Sequence, residues 1–249
     1  MRTEYKGCGI YYNQLGEGRE VILLHGWGYD SSLLMPLAQF LSAFCRVTLI
    51  DLPGHGQSDQ PIEPMDIYDF GGAVKCVMDE ADIKSASFIG HSNGGRTILA
   101  MSRDYGQCFE KLVLCDSAGI RPKRTLKYYI KVYWYKLIKN IMRLPIFTQE
   151  SRERFKKNRG SEDYRKLSDV MRATFSRIVN EDLKYLLKDI KVPTLLIWGD
   201  KDTDTPPYMA EILKENIPDC GLVMYSGAGH YAFLERLGQT ERVLESFLK

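Results

Sequence analysis

The chain has 249 residues, with 34 Lys and Arg against 32 Asp and Glu, so its formal net charge is +2. A chain of this length forms one hydrophobic core, or one core with an insertion, because single cores stop growing near ~250–300 residues. The 44% hydrophobic and 27% charged residues are ordinary for a globular protein and exclude a disordered or fibrous chain. The near-zero charge argues against a protein that binds nucleic acid over its whole surface.

The cysteine pattern and the N-terminus indicate where the protein works. The six cysteines are scattered without a CxxC pair, and several lie within apolar runs, which favours buried free thiols in a reducing compartment. Residues 1–7 lack the apolar stretch of a signal peptide, and no run reaches the ~18 apolar residues that cross a bilayer. We therefore predict a soluble cytoplasmic protein without a structural zinc site.

Short apolar runs, each closed by a turn, predict the strands of a sheet. They lie at 21–24, 47–50, 86–89, 112–115, 194–198 and 222–225, and residues 11–13 precede a turn as one member of an antiparallel starting pair. Unbroken runs of this kind suit strands that are buried on both faces of a parallel sheet. Helical stretches between them are predicted at 33–44, 68–80, 95–105, 207–216 and 239–248. The alternation predicts a doubly wound α/β core.

The alternation stops between Arg121 and Lys191, where helical spacing replaces strand patterns. The simplest arrangement is one core, residues 1–120 and 191–249, interrupted by a helical cap at 121–190. Residues 121–159 hold 13 Lys and Arg against two Glu, a net charge of +11. Apolar residues share one face of a basic amphipathic helix here. We favour a cap helix with its basic face in solvent over contact with a membrane surface or an acidic partner.

Residues 90–94 read Gly-His-Ser-Asn-Gly, a G-x-S-x-G sequence between a predicted strand and a predicted helix. Small residues allow the tight, strained turn that projects the hydroxyl of Ser92 above the sheet edge. The carboxyl ends of strands are also where ligands bind in open α/β sheets. An ordinary glycine-rich turn is the competing interpretation, so the pentapeptide needs support from other residues.

A serine hydroxyl needs a base and an orienting carboxylate to become a nucleophile. His230 follows the last predicted strand, and Asp202 follows the strand before it. The three residues therefore occur in the chain order Ser, Asp, His. Asp200 and Asp204 flank Asp202, and Asp116 ends another core strand, so four carboxylates are candidates. Position and chain order favour Asp202 among them.

Acyl transfer also needs two N–H donors for the developing oxyanion. The peptide N–H groups of Trp27, in a His-Gly-Trp-Gly loop, and of Asn93 are the natural pair. We assign the remaining histidines to structure: His25 and His55 brace their loops, and His91 points away from the attack direction. This chemistry requires no metal ion or cofactor, and its partner is a small acyl substrate.

These segments together resemble the α/β-hydrolase fold superfamily, in the group with a cap inserted in the core. The resemblance implies an eight-stranded, mostly parallel sheet flanked by helices. It also supports Asp202 over Asp116, because family members with a WGxxD segment use its aspartate. The matching segments follow the family's order and span the chain outside the insertion. They are HGWG at 25–28, DLPGHGQSD at 51–59, GHSNGG at 90–95, WGDKD at 198–202 and GAGH at 227–230.

The resemblance leaves several activities to be weighed. Haloalkane dehalogenases carry an aspartate nucleophile, and proline-iminopeptidase-like members usually show GGSWG at the turn, so Ser92 within GHSNGG argues against both. We expect a carboxylesterase-like serine hydrolase acting on a small carboxylic ester or related acyl compound, with Ser92, Asp202 and His230 as its triad. The alternatives are a carbon–carbon bond hydrolase or lyase with the same triad, or a non-catalytic ligand-sensing or membrane-associated member.

Overall fold

The structure, a computed structural model, describes residues 1–123, 134 and 167–249. The strands are β1 Arg2–Tyr5, β2 Cys8–Leu15, β3 Arg19–Leu24, β4 Cys45–Ile50, β5 Ala86–His91, β6 Phe109–Cys115, β7 Thr194–Gly199 and β8 Cys220–Tyr225. The α-helices are α1 Met35–Leu41, α2 Ile67–Glu80, α3 Asn93–Tyr105, α4 Asp169–Asn180, α5 Tyr208–Asn216, α6 Ala232–Glu235 and α7 Leu237–Leu248. Within the described ranges, no helix combines the length and the apolar character that a membrane crossing requires.

The eight strands form one sheet in the order β1-β2-β4-β3-β5-β6-β7-β8. β1 pairs with β2 and β2 with β4 in antiparallel register, whereas every pairing from β4 to β8 is parallel. The prediction of a mostly parallel, eight-stranded α/β sheet flanked by helices is confirmed. Because the pairing is parallel, the carboxyl ends of β3, β5, β6, β7 and β8 share one edge of the sheet.

Side chains along the central strands alternate between two apolar layers. On β3, Ile22 and Leu24 pack in the layer formed with α2, α3 and α5, whereas Val21 and Leu23 pack in the layer formed with α1 and α7. Helices on both faces leave no polar side of the sheet, which is why these strands appear in the sequence as unbroken apolar runs.

Element boundaries differ from the sequence prediction by a few residues, and two of the differences have a clear physical reason. β6 begins before the apolar run at 112–115, because buried Phe109 alternates with exposed Glu110 at its start and hides the strand signal. The helix predicted at 33–44 is a 3₁₀ turn at Ser31–Leu34 followed by the shorter α1. A strand end with one solvent-exposed face weakens the apolar pattern from which boundaries are predicted. A helix that begins as a 3₁₀ turn weakens the helical periodicity in the same way.

The described part of the predicted insertion contains α4 and a 3₁₀ helix at Lys184–Asp189, and α4 is tied to the core. Nη1 of Arg96, on α3, donates to the carbonyl oxygens of Ile178 and Glu181 at the C-terminal end of α4. Carbonyl groups at a helix C-terminus attract a cation, so this buried guanidinium links α3 to the insertion. The predicted basic helix, and most of 121–159, lie outside the described residues, and the division into core and cap stays a prediction.

Gly90 permits the close packing of β5 against α3. A Cβ at this position would lie 2.6 Å from two backbone atoms, the carbonyl carbon of Gly94 and the nitrogen of Gly95. We therefore expect Gly90→Ala to lower the free energy of unfolding by ~1–3 kcal/mol, as overpacking does. Gly106→Ala is the matched control, because a Cβ there meets nothing within 4 Å. Urea unfolding measures both variants, and equal stability would contradict tight packing at Gly90.

Candidate active site

Ser92 lies on the sharp turn between β5 and α3, at the carboxyl edge of the sheet. Its φ is +51°, a left-handed conformation that is uncommon for a residue with a Cβ and that clusters at functional sites. The turn passes close to β3, since a Cβ at Gly94 would lie 2.0 Å from the carbonyl oxygen of Leu24. Glycine at this position therefore allows the turn that the G-x-S-x-G pattern predicts.

Ser92, His230 and Asp202 form a continuous chain of hydrogen bonds. The Oγ of Ser92 lies 3.1 Å from Nε2 of His230, and Nδ1 of His230 lies 2.9 Å from Oδ2 of Asp202. The three residues follow β5, β8 and β7, whose carboxyl ends share one sheet edge. In this arrangement Nδ1–H donates to the carboxylate while Nε2 accepts from the serine hydroxyl.

Hydrogen bonds keep the Asp202 carboxylate ionised despite its burial. Its Oδ1 accepts from the N–H groups of Asp204 and Thr205, at 2.8 and 3.0 Å, and the Thr205 hydroxyl donates to Oδ2 at 2.6 Å. Burial raises the pKa of Asp202, but the hydrogen bonds from His230 and Thr205 outweigh it, and the net pKa is lowered. A fixed negative charge therefore faces the imidazole.

The pKa of His230 is shifted upward, opposite to that of Asp202. Burial lowers the pKa of His230, but the hydrogen bond and the charge of Asp202 outweigh this effect and raise the pKa above its usual value. A raised pKa makes His230 a stronger base toward the hydroxyl of Ser92. The same charge stabilises the imidazolium that forms when that proton is taken up.

The structure separates Asp202 from the other three candidate carboxylates. Among the described residues, Asp202 is the one whose carboxylate forms a hydrogen bond with the imidazole of His230. Asp116 accepts instead from two peptide N–H groups, and Oδ1 of Asp200 accepts from the N–H of Gly227 at 2.8 Å. Asp204 contributes its backbone N–H to Asp202. The aspartate favoured from the sequence is therefore the one that meets the histidine.

The two predicted oxyanion donors flank the turn at Ser92. Asn93 is the first residue of α3, and the loop after β3 approaches so closely that a Cβ on Gly26 would lie 3.3 Å from the Cβ of Ser92. The indole of Trp27 is held by aromatic contacts, with its ring centroid 4.8 Å from His55 and 5.0 Å from Phe175 of α4. The loop that carries the Trp27 N–H is thus packed against the insertion.

Two buried histidines are held by backbone groups. Nε2 of His25 accepts from the N–H of Leu52 at 3.0 Å, and Nδ1 of His55 lies 2.9 Å from the carbonyl oxygen of Pro53. Burial lowers the pKa of His25 and lowers that of His55 to about 4, so both rings are neutral and fit the predicted bracing role.

In the described part of the chain, no three His, Cys, Asp or Glu side chains converge as metal ligands.

His91 supports the loop of His230, a contact that the sequence does not predict. Its Nε2 lies 2.8 Å from the backbone oxygen of His230, and the two rings are 4.9 Å apart. Burial lowers the pKa of His91 to about 3, so the neutral ring donates Nε2–H to that carbonyl. The sequence hints at this contact only through the position of His91 next to Ser92. The two partners are 139 residues apart in the chain, so no local pattern predicts their hydrogen bond.

Comparison with known proteins identifies the family. The model of the alpha/beta hydrolase family matches residues 21–243. The chain belongs to the alpha/beta hydrolase family. Over 96% of its length it is 28% identical to the 2-hydroxy-6-oxo-6-phenylhexa-2,4-dienoate hydrolase of Comamonas testosteroni, of which 91% is covered.

Two further similarities place this alpha/beta hydrolase among enzymes. It is 24% identical to the pimeloyl-[acyl-carrier protein] methyl ester esterase of Legionella pneumophila, over 96% of this chain and 99% of the relative. The structure of the enol-lactonase from Burkholderia xenovorans LB400 matches with a TM-score of 0.77 and 25% identity, over 100% of this chain and 99% of that one. This alpha/beta hydrolase is therefore an enzyme of the hydrolase class, as the sequence predicts.

The pairing of His230 with Asp202 makes a prediction for the pH dependence of this alpha/beta hydrolase. A base must be unprotonated to act, so the acid limb of kcat/KM reports the pKa of His230, which lies above the ordinary value of about 6.5. Asp202→Asn removes the charge that raises this pKa, so the midpoint of the limb moves to lower pH and kcat falls about 10⁴-fold. The measurement is kcat/KM against pH for both proteins.

Asp200→Asn is the control for this shift. Its carboxylate lies in the same loop but bonds Gly227, so the midpoint stays at the wild-type value. A midpoint that moves with Asp200→Asn and stays fixed with Asp202→Asn would contradict the assignment of the carboxylate.

Proposed function

We propose that the protein is a serine hydrolase that cleaves a small carboxylic ester or related acyl compound through an acyl-enzyme. The observation that carries this proposal is the unbroken chain from the Oγ of Ser92 through both ring nitrogens of His230 to the carboxylate of Asp202. A hydroxyl, a base and an orienting acid in this geometry are the parts that nucleophilic acyl transfer needs. The left-handed turn at Ser92 supports it, since strained backbone clusters at catalytic sites.

The reaction follows from the positions of these groups. The Oγ of Ser92 attacks the acyl carbon while its proton passes to Nε2 of His230, and the tetrahedral oxyanion is held by the N–H groups of Trp27 and Asn93. The imidazolium then gives its proton to the leaving group, and the acyl-enzyme forms. Water attacks in the second half, losing its proton to Nε2, and Ser92 leaves with that proton when the acid departs. Asp202 orients the ring and stays ionised throughout.

A second candidate is hydrolysis of a carbon–carbon bond by the same residues. It is favoured by the similarity to the hydrolase of Comamonas testosteroni that is named for 2-hydroxy-6-oxo-6-phenylhexa-2,4-dienoate. The esterase of Legionella pneumophila supports the ester candidate in the same way. Both reactions need a histidine that moves a proton at the scissile bond, so the triad geometry alone fits either.

We propose further that the substrate is a small molecule and that the enzyme works in the cytoplasm. The carboxyl edge of the sheet, where Ser92 lies, is the usual place for a small ligand in an open α/β fold. All six cysteines are free thiols, which supports a reducing compartment. The tie between Arg96 and α4 supports the proposal that residues 121–190 form a cap next to the site.

Removal of the nucleophile tests the proposal. Ser92→Ala should lower kcat for p-nitrophenyl butyrate by about 10⁴–10⁶, because no other hydroxyl is in contact with His230 Nε2 in the described residues. Ser102→Ala is the matched control on the same helix. Among the described residues its hydroxyl bonds the carbonyl of Leu99, away from the triad, and activity should be kept. A Ser92→Ala protein that is folded and fully active would disprove the nucleophile.

Side-by-side assays separate the two candidate reactions. We expect kcat/KM for short p-nitrophenyl esters to exceed that for a vinylogous diketo acid, with both activities lost in Ser92→Ala. A preference for the diketo acid by tenfold or more would favour the carbon–carbon candidate. A folded wild-type protein that turns over neither substrate and does not react with a fluorophosphonate would support a non-catalytic, ligand-sensing member instead.

A further inference from the structure

Asp116 is a buried carboxylate that the proposed chemistry does not use. It follows β6, which lies between β5 and β7 in the sheet, and its relative exposure is 0%. Its φ is +43°, in the left-handed region that Asp and Asn adopt more readily than other residues with a Cβ. It stands between the strand that ends before Ser92 and the strand that leads to Asp202.

The carboxylate of Asp116 accepts one hydrogen bond from each of two loops. Oδ1 accepts from the N–H of Gly199 at 2.9 Å, where β7 ends and the loop to Asp202 begins. Oδ2 accepts from the N–H of Ala232 at 3.0 Å, where α6 begins just after His230. One side chain therefore joins the loop that carries the acid to the loop that carries the base.

The main chain of Asp116 adds contacts to the same region. Its N–H donates to the carbonyl oxygen of Ile197 at 2.9 Å. Its carbonyl oxygen lies 2.9 Å from the hydroxyl of Thr205, which is also the group 2.6 Å from Oδ2 of Asp202. The residue is thus fixed to the end of β7 and to the Asp202 loop by its backbone as well as by its carboxylate.

We propose that Asp116 is a positioning residue: its carboxylate holds the loops of Asp202 and His230 in the register in which His230 meets Ser92. This inference rests on the proposed serine-hydrolase function. A carboxylate accepts at both oxygens, so it can receive two N–H groups from opposite sides. The amide of an Asn side chain accepts only at its oxygen. Its NH₂ group would face one of the two N–H donors, and no hydrogen bond could form between them.

The charge of Asp116 reaches the base as well. The titratable groups that face it are Asp202, His230 and the thiol of Cys115. Burial raises the pKa of Asp116 to about 7, against the hydrogen bond from Gly199 that lowers it. Burial lowers the pKa of His230, and the negative charge of Asp116 is one of the contributions that raise it. Because the pKa of Asp116 is itself about 7, this charge acts on the upper part of the acid limb, and its loss moves the midpoint modestly to lower pH.

Asp116→Asn tests the proposal, because Asn keeps the volume and tolerates the left-handed backbone. We expect kcat for p-nitrophenyl butyrate, counted per site by fluorophosphonate titration, to fall ~10–100-fold with KM nearly unchanged, as a small misplacement of the base does. The acid-limb midpoint should move to lower pH. Unchanged kcat per titrated site with an unchanged midpoint would overturn the proposal.

Two further variants separate position from charge and from stability. Asp116→Glu keeps the charge but lengthens the side chain, so kcat should fall while the midpoint of the acid limb stays near the wild-type value. A wild-type kcat in Asp116→Glu would overturn the positioning role. This test holds even if Asp116→Asn does not fold. Asp51→Asn is the matched control, because this buried carboxylate also accepts two peptide N–H groups, from Ser31 and Gln57. It should lower the thermal midpoint without moving the acid limb.

The outcomes also distinguish this inference from the proposed function. Full activity in Ser92→Ala would remove the serine-hydrolase function, and the positioning role with it. Loss of activity in Ser92→Ala, together with wild-type kcat and midpoint in both Asp116 variants, would remove the positioning role alone.

Discussion

The parallel pairing from β4 to β8 is the constraint on which the site depends. It places the carboxyl ends of six strands at one sheet edge, and the loops that leave three of them deliver Ser92, Asp202 and His230. Apolar layers on both faces fix this pairing, since a one-residue slip would exchange the residues of the two layers. The distance of 3.1 Å between the hydroxyl and the imidazole therefore depends on the packing of the whole sheet.

Two buried carboxylates at this edge show how hydrogen bonding decides the charge state. Asp202 and Asp116 are both buried, and burial raises the pKa of each. Asp202 accepts from an imidazole, a hydroxyl and two N–H groups, which reverse the effect and lower its pKa. Asp116 accepts side-chain hydrogen bonds from two neutral peptide groups, and its pKa remains raised, at about 7. The carboxylate beside the base therefore stays ionised to lower pH than the carboxylate of Asp116 behind it.

The aromatic contacts of Trp27 connect the oxyanion side of the site to the insertion. The indole packs on His55 from the core and on Phe175 of α4, while Arg96 ties the helix after Ser92 to the end of α4. The described helix α4 therefore contacts both the loop that carries Trp27 and the helix that follows Ser92.

Most of the fold follows from local patterns in the sequence. Unbroken apolar runs predict the buried strands, and G-x-S-x-G between a strand and a helix predicts the turn at Ser92. Contacts between distant residues leave no such pattern. The hydrogen bond of His91 to the His230 loop and the two bonds of Asp116 depend on the register of neighbouring strands, which no short segment specifies. Choosing among four aspartates likewise needs chain order and family resemblance beside the local sequence.

The most direct measurement of the central claim is the site of covalent attack. The wild-type protein is treated with a fluorophosphonate, and the adduct is counted by intact mass and located by peptide mass spectrometry. The hydrogen-bond chain predicts one adduct per chain, on Ser92, with labelling strongly slowed in His230→Ala because the hydroxyl loses its base. An adduct on another residue, or ester turnover without any adduct on Ser92, would contradict the assignment.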